Sequence, residues 1–206
     1  KIGIQICEDM WDDDYSCKVS TLQKELGAEL IINISASPYH ENKISERIKH
    51  VSLKAKQLKL PFIYCNMIGG QEELIFDGSS FAISKEGLLL SQAKSFKEDL
   101  KIVNLSSNKK HISSRICREE EIFNALCLGV KDYFLKTGHE KTVLGLSGGI
   151  DSALVASIAV SALGKNNVYG ISLPSKFSSS HSLKDAKQLA TNLGIEYQVI
   201  KIHSII

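Results

Sequence analysis

Residues 142–156 read TVLGLSGGIDSALVA, and this stretch decides the fold of the second half of the chain. The apolar run 142–146 has the character of a short buried strand, and it stops at Ser147-Gly148-Gly149. Helix-forming sequence follows at once with Ile150-Asp151-Ser152-Ala153. Such a junction leaves N–H groups unpaired at the start of a helix, where the helix dipole also favours negative charge. Glycines let the backbone approach a phosphate with no Cβ in the way. Ser147 and Ser152 add hydroxyl donors, and Asp151 is suited to hold Mg²⁺ against phosphate oxygens. The bland alternative is an αβ turn with Ser or Asp as N-cap. The full string S-G-G-I-D-S favours the phosphate loop.

Outward from this loop, strand and helix alternate. Residues 115–137 are expected to form a helix with Ile122, Phe123, Leu126, Val130 and Phe134 on one side, closed by Gly138. A helix over 151–163 closed by Gly164, a strand over 167–173, a helix opening at Ser182-Leu183-Lys184-Asp185 and ending at Gly194, and a strand over 196–202 complete the pattern. This βαβαβ order predicts a parallel sheet, with the loop at the C-terminal end of a strand, where such sheets bind ligands.

The first half reads differently. Strands are expected over 1–7, 29–35, 61–67, 80–84, 87–93 and 99–105, and helices over 17–27 and 44–59. Ile44, Ile48, Val51, Leu53, Ala55 and Leu58 give the second helix an imperfect apolar stripe, and Lys85-Glu86-Gly87 reads as a hairpin turn. The polar stretch 106–114 is expected to be a linker, dividing the chain into domains over 1–105 and 115–206. The chain opens directly on a strand and stops just after an apolar run, so it is expected to be an internal fragment.

Cys7 is the chemical candidate of this half. It ends the opening strand and precedes Glu8-Asp9-Met10-Trp11, where a thiol can be presented to a cleft with a following N–H to stabilise an oxyanion. A buried hydrophobic cysteine is the alternative. A thiol of ordinary pKa, about 8.5, is only a few per cent thiolate near neutral pH, so a catalytic Cys7 needs a base.

Composition narrows the classes. The 206 residues are 43% apolar and 23% charged with net charge +2, an ordinary globular balance that gives no reason to expect nucleic-acid or membrane partners. The longest mildly apolar run, 153–163, is too short to span a bilayer, and no signal-peptide pattern is present. Five cysteines form no C-x-x-C pair, so neither a zinc site nor a disulfide framework is expected, and a reducing cytoplasm is. There is no G-x-x-x-x-G-K-[ST] and no G-x-G-x-x-G.

The S-G-G-I-D-S string resembles the PP-loop of ATP pyrophosphatases, which split ATP between its α- and β-phosphates. I-C-E-D-M-W at 6–11, N-I-S-A-S-P-Y at 33–39 and G-G-Q-E-E-L-I-F-D-G-S-S-F at 69–81 resemble the nitrilase superfamily in its glutamine amidase branch. That likeness implies an αββα sandwich and a Glu-Lys-Cys triad, with Cys7 as nucleophile and the Glu and Lys upstream. The two in this order resemble the glutamine-dependent NAD⁺ synthetase family. A third match, LPSKFSSSHSLKDA at 173–186, is close to that family's P-S-x-Y-S-S-x-x-S-x-x-D-A, with Phe177 where Tyr is usual.

The resemblance implies the C-terminal part of a nitrilase-like α/β sandwich, then the first part of a PP-loop parallel-sheet (Rossmann-like) domain. It implies ATP and Mg²⁺, and the substrates glutamine and deamido-NAD⁺. Gly145, Leu146, Ser147, Gly148, Gly149, Ile150, Asp151 and Ser152 would bind ATP, with Asp151 on the metal. Ser37 and Lys43 would hold the glutamine α-carboxylate, a role that suits a hydroxyl and a cation. A plain turn at Ser37-Pro38-Tyr39 and a solvated Lys43 are the alternatives. Asp12-Asp13-Asp14, His40, Lys109-Lys110 and Glu119-Glu120-Glu121 are expected to be solvated surface groups. A homo-oligomer is expected. A different PP-loop amidotransferase and a nucleotide-binding relic without turnover are the competing readings.

Overall fold

Alternation of Ile2, Ile4 and Ile6 with Gly3 and Gln5 makes β1 (Ile2–Ile6), whose isoleucines are exposed while Gly3 and Gln5 are buried. The structure is a computed structural model describing residues 1–107, 109, 111, 116–175 and 179–202. The chain continues through α1 (Val19–Glu25), β2 (Leu30–Ser35), α2 (Lys43–Leu58), β3 (Phe62–Asn66), β4 (Ile68–Gln71), β5 (Leu74–Asp77), β6 (Phe81–Ile83) and β7 (Leu89–Gln92). A five-stranded sheet runs β1-β2-β3-β6-β7. Its first three strands are parallel and β6 and β7 antiparallel, with Asn33 opposite Gln5 and Tyr64 opposite Phe81. The α/β layer with antiparallel strands expected from sequence is therefore present.

One face of this sheet packs on α2. Ile31, Val51, Ala55, Leu58, Phe62, Tyr64, Phe81 and Ile83 form its core. Burying each of the large apolar side chains stabilises the fold by roughly 1.5–3 kcal/mol. The buried stripe of α2 is Arg47, Val51, Lys54, Ala55 and Leu58. Leu53, expected in the stripe, is exposed, because a 3.6-residue repeat places the charged Arg47 and Lys54 on the inner face instead. The opposite sheet face leaves Ile2, Ile4, Ile6 and Ile34 exposed, the apolar surface that the inner face of a two-sheet sandwich presents.

Two further expectations need correction. Residues 99–105 form no strand: Asp99 accepts from the Lys94 N–H at 3.0 Å and pairs with Lys101 at 3.1 Å, and Ile102 stands 99% exposed. The segment 68–77 holds the ribbon β4–β5, which its glycines and acidic residues concealed. The 84–88 hairpin turn is present, with Gly87 at φ +82°.

α3 (Arg118–Thr137) is followed by β8 (Thr142–Gly145), α4 (Ile150–Leu163), β9 (Val168–Ser172), α5 (Ser180–Leu193) and β10 (Glu196–Val199). The order β10-β9-β8 is parallel throughout, as the alternation predicted. Leu146, Ala156, Ala159, Val168, Ala186, Ala190 and Ile195 form its core, where small alanines let α4 and α5 lie close to the strands. α5 does not open at Ser182: Ser179 is the N-cap, its hydroxyl accepting from the Ser182 N–H at 3.1 Å. In α3 the fully buried position is Ala125, and Leu126 of the expected apolar side is 43% exposed. The chain divides into two compact units, Lys1–Gly69 with Glu73–Ala125, and Gly70–Glu72 with Leu126–Ile206. The expected linker lies largely outside the described residues.

Candidate active sites

Cys7 stands at the C-terminal end of β1, the end where parallel strands offer ligand sites. Its φ is +43°, a left-handed conformation that costs a residue with a side chain on the order of 1–3 kcal/mol. The surroundings hold it there. Asn33 Nδ2 donates to the Cys7 carbonyl at 3.3 Å, and the Ile6 N–H donates to Asp9 at 2.8 Å. The chain then turns through a 3₁₀ segment, Cys7–Met10, that is tied to α2 by the His50 ring, which donates through Nε2 to the Met10 carbonyl at 2.9 Å.

In the acidic run beyond it, Asp13 and Asp14 are exposed as expected, but Asp12 is not. Asp12 is buried and paired with Lys54, which also reaches Asp13 at 3.2 Å. Lys18 donates to the carbonyls of Asp12 and Asp13 at 2.7 and 2.6 Å. The Lys54 hydrogen bond holds the Asp13 carboxyl below the ordinary aspartate range, against a smaller effect of burial. Lys54 lies on the buried face of α2, so a carboxylate there is neutralised rather than hydrated.

Ser37 follows β2 at the same sheet edge and is buried. Arg47, fully buried, donates from Nε to the Ser37 hydroxyl at 3.2 Å and from Nη2 to the carbonyls of Ser37 and Pro38 at 2.8 and 3.0 Å. Its Nη1 meets both Asp77 oxygens, at 2.7 and 2.9 Å. Asn66, at the end of β3, accepts from the Ser37 N–H at 3.0 Å and donates to the Ser37 carbonyl and Asp77 at 3.3 Å each.

Lys43 begins α2 with its ammonium 5.0 Å from the Trp11 ring centroid, a cation–π distance, and 3.4 Å from Glu46. Trp11 is itself stacked on His50 with centroids 4.3 Å apart. Lys43 is thereby brought to the turn that follows Cys7. Tyr64 of β3 is fully buried in the same sheet. Burial raises its phenol pKa, opposed by the Ser35 hydroxyl, the Arg47 charge and the Ser37 hydroxyl, with Cys7 close enough to raise it further. Cys7 and Ser37 thus follow the C-terminal ends of the paired strands β1 and β2, and Lys43 at the start of α2 reaches the turn after Cys7 through Trp11.

Sequence reasoning missed Asn33, Arg47, Asn66 and Asp77. Arg47 had a signal: it sits three residues after Ile44 and four before Val51, a charge inside an apolar stripe. His40 stays at the surface, pairing with Glu46 at 3.6 Å. Glu121 does not fit the expected solvated cluster. It lines a cleft of about 220 Å³ with Glu41, Asp77, Phe96 and Arg118, and burial raises its carboxyl pKa. Tyr39 beside it is pushed up to about 12, chiefly by burial.

In the second unit, β8 delivers the loop at its C-terminal end. The Leu146 N–H donates to the Ile171 carbonyl at 2.8 Å, and the Leu146 carbonyl accepts from the Ser172 hydroxyl at 2.6 Å. Tyr197 donates to that hydroxyl at 2.8 Å. Beyond Leu146 the loop is built by its serines. Ser152 Oγ accepts from the Ser147 N–H at 3.3 Å and donates to the Gly149 carbonyl at 3.0 Å, while Ser147 Oγ accepts from the Gly149 N–H at 3.2 Å. The N–H groups of Ile150, Asp151 and Ser152 open α4 without intrahelical acceptors. Asp151 is exposed in this first turn, and Gly145 and Ile150 are also exposed. Among the described residues no three His, Cys, Asp or Glu side chains gather as metal ligands. Phe177 lies outside the described residues.

The carbon–nitrogen hydrolase family model matches residues 1–109, more than half of the chain. The chain belongs to the carbon–nitrogen hydrolase family. Residues 122–206 match the NAD synthase family model, so both units carry a recognised pattern. The glutamine-dependent NAD(+) synthetase of Synechocystis sp. is 45% identical over 218 residues, covering 100% of this chain and 39% of that protein. The same enzyme of Aquifex aeolicus is 42% identical over 241 residues, with 100% and 42% covered. Among solved structures, glutamine-dependent NAD+ synthetase from Acinetobacter baumannii in complex with adenosine diphosphate matches with TM-score 0.89 and 36% identity, over 99% of this chain and 39% of that one. The chain spans about two fifths of the length of the curated relatives it matches. This family member therefore joins a carbon–nitrogen hydrolase fold to the start of an NAD synthase fold, as the motifs predicted.

Proposed function

We propose that the protein forms NAD⁺ by ATP-dependent amidation of deamido-NAD⁺, with ammonia drawn from glutamine hydrolysed at Cys7. The observation that carries this reading is the pairing, in one chain, of a cysteine held at φ +43° on a parallel-strand edge with an S-G-G-I-D-S loop on another. Relatives similar over the whole chain are glutamine-dependent NAD(+) synthetases.

In the first reaction the Cys7 thiolate attacks the glutamine carboxamide carbon, ammonia leaves, and water hydrolyses the thioester to glutamate and free thiol. Ser37 and Lys43 hold the α-carboxylate, the hydroxyl donating one hydrogen bond and the ammonium supplying charge. In the second, a carboxylate oxygen of deamido-NAD⁺ attacks the α-phosphorus of ATP and pyrophosphate leaves. Ammonia then displaces AMP from the acyl adenylate. Gly145, Leu146, Ser147, Gly148, Gly149, Ile150, Asp151 and Ser152 cradle the leaving pyrophosphate, the free N–H groups opening α4 meeting its charge.

Asp151 fits a Mg²⁺ site of the kind completed by phosphate oxygens and water, because it is exposed beside those N–H groups with no cluster of further acids among the described residues. The ion supplies charge neutralisation when bound. Free thiols at all five cysteines support a cytoplasmic enzyme, and no described helix is long and apolar enough to cross a membrane. We also place the catalytic domains at 1–105 and 115–206, and the enzyme in a homo-oligomer.

The test uses the full-length protein. Cys7→Ala is expected to abolish synthesis from glutamine and leave synthesis from ammonia intact. Equal loss of both in a folded variant would assign Cys7 a structural role and sink the reading.

A further inference from the structure

Every polar backbone atom of Ser37 is fixed from within. Its N–H is held by Asn66, and its carbonyl is shared by Arg47 and Asn66. The Pro38 carbonyl also ends on Arg47. The guanidinium spends its fork on this turn and on Asp77, with side chains 0% and 4% exposed. A buried ion pair is a poor route to stability compared with an apolar pair of the same volume. What it supplies here is direction. Both carbonyl oxygens are drawn onto a cation, which weakens their repulsion of an anionic group approaching the turn. Arg47 Nε also occupies an acceptor position on the Ser37 hydroxyl.

We propose that Arg47, clamped by Asp77, is the positioning residue of the glutamine subsite, presenting the Ser37–Pro38 turn to the ligand α-carboxylate. This rests on the glutamine reading above. A lysine at 47 keeps the charge but loses the fork, so the carbonyls of Ser37 and Pro38 are no longer held together.

The experiment uses the full-length protein and two electrophiles that alkylate Cys7: a diazoketone analogue of glutamine, which carries the α-amino acid group, and iodoacetamide, which does not. Arg47→Lys is expected to slow labelling by the analogue about tenfold, the effect of weakening one charge-assisted hydrogen bond. It is expected to leave iodoacetamide labelling and ammonia-driven synthesis within twofold of the parent. In turnover, the glutamine KM rises and kcat holds. Asp77→Asn, which preserves shape, is expected to act in the same direction and covers the case of a lysine variant that does not fold. Unchanged analogue labelling in either folded variant overturns the positioning role alone. A parent protein whose Cys7 the analogue labels no faster than iodoacetamide overturns the glutamine reading and this inference with it. Equal slowing of both reagents and of ammonia-driven synthesis makes Arg47 a general structural residue and also overturns the proposal.

Discussion

Gly148 packs directly against the backbone of Ser182: at φ +81°, a Cβ placed on it would stand 2.7 Å from the Ser182 Cα and closer still to the Ser182 carbonyl oxygen. The 147–149 loop and the first turn of α5 therefore meet backbone to backbone, which only glycine permits. Gly148→Ala is expected to displace the loop and lower synthesis from glutamine and from ammonia alike, by about 100-fold, because misplacement of about 1 Å at a reacting group has that effect. Kinetics with each nitrogen source check it. An alanine variant with parental kcat/KM for ATP would show that the loop tolerates the shift.

Asp151→Asn preserves shape and removes the charge facing the loop. Synthesis is expected to fall about 100-fold with either nitrogen source, while labelling of Cys7 is unchanged. Titration of activity against Mg²⁺ separates the cases, since a metal role requires a raised Mg²⁺ demand in the variant. Parental ammonia-driven activity at low Mg²⁺ would remove Asp151 from the metal site.

Lys54→Met leaves Asp12 buried without its cation, and one oxygen of Asp12 already lacks a hydrogen-bond partner. Removing one member of a buried pair costs about 3–5 kcal/mol, so a large drop in denaturant midpoint is expected. The Asp13 carboxyl is lowered chiefly by Lys54, so its contribution is present above the ordinary aspartate pKa and is lost as pH falls through the lowered value. Asp13 is largely exposed, which makes this contribution small. The gap between parent and Lys54→Met is therefore expected to narrow below pH 4, about where aspartates titrate. A gap that widened as pH fell through that range would contradict the pairing.

Glu121 carries the opposite sign. Burial raises its carboxyl pKa, so the folded state holds the proton more tightly than the unfolded chain does. Stability then falls as pH rises from the ordinary glutamate range through the raised value. Glu121→Gln is expected to raise the Tm at pH 7 and to change it little at pH 4, both set about the ordinary glutamate value. Melting curves at the two values decide it, and an equal gain at both would mean that charge is not the cause.

The alternation of Ile2, Ile4 and Ile6, the Gly148-Gly149 break and the glycine-closed helices were legible because strand and helix periods and backbone freedom are local properties. They determined the α/β class, the βαβαβ sheet of the second half, and the placement of Cys7 and the phosphate loop at strand ends. The same local rules put a strand at 99–105 and a solvated carboxylate at Asp12. Both failed for one reason: whether a strand finds a partner, or a carboxylate a buried cation, depends on residues far away in sequence. Lys54 lies 42 positions from Asp12, and Asp77 lies 30 from Arg47. Only the tertiary structure brings these charges together, since burial makes a pair obligatory without specifying in sequence which residues form it. The strand ends that carry Cys7 and Ser147-Gly148-Gly149 were legible in the chain itself. The frame that orients Ser37, and the contact that makes Gly148 irreplaceable, exist only once the strands and helices have packed.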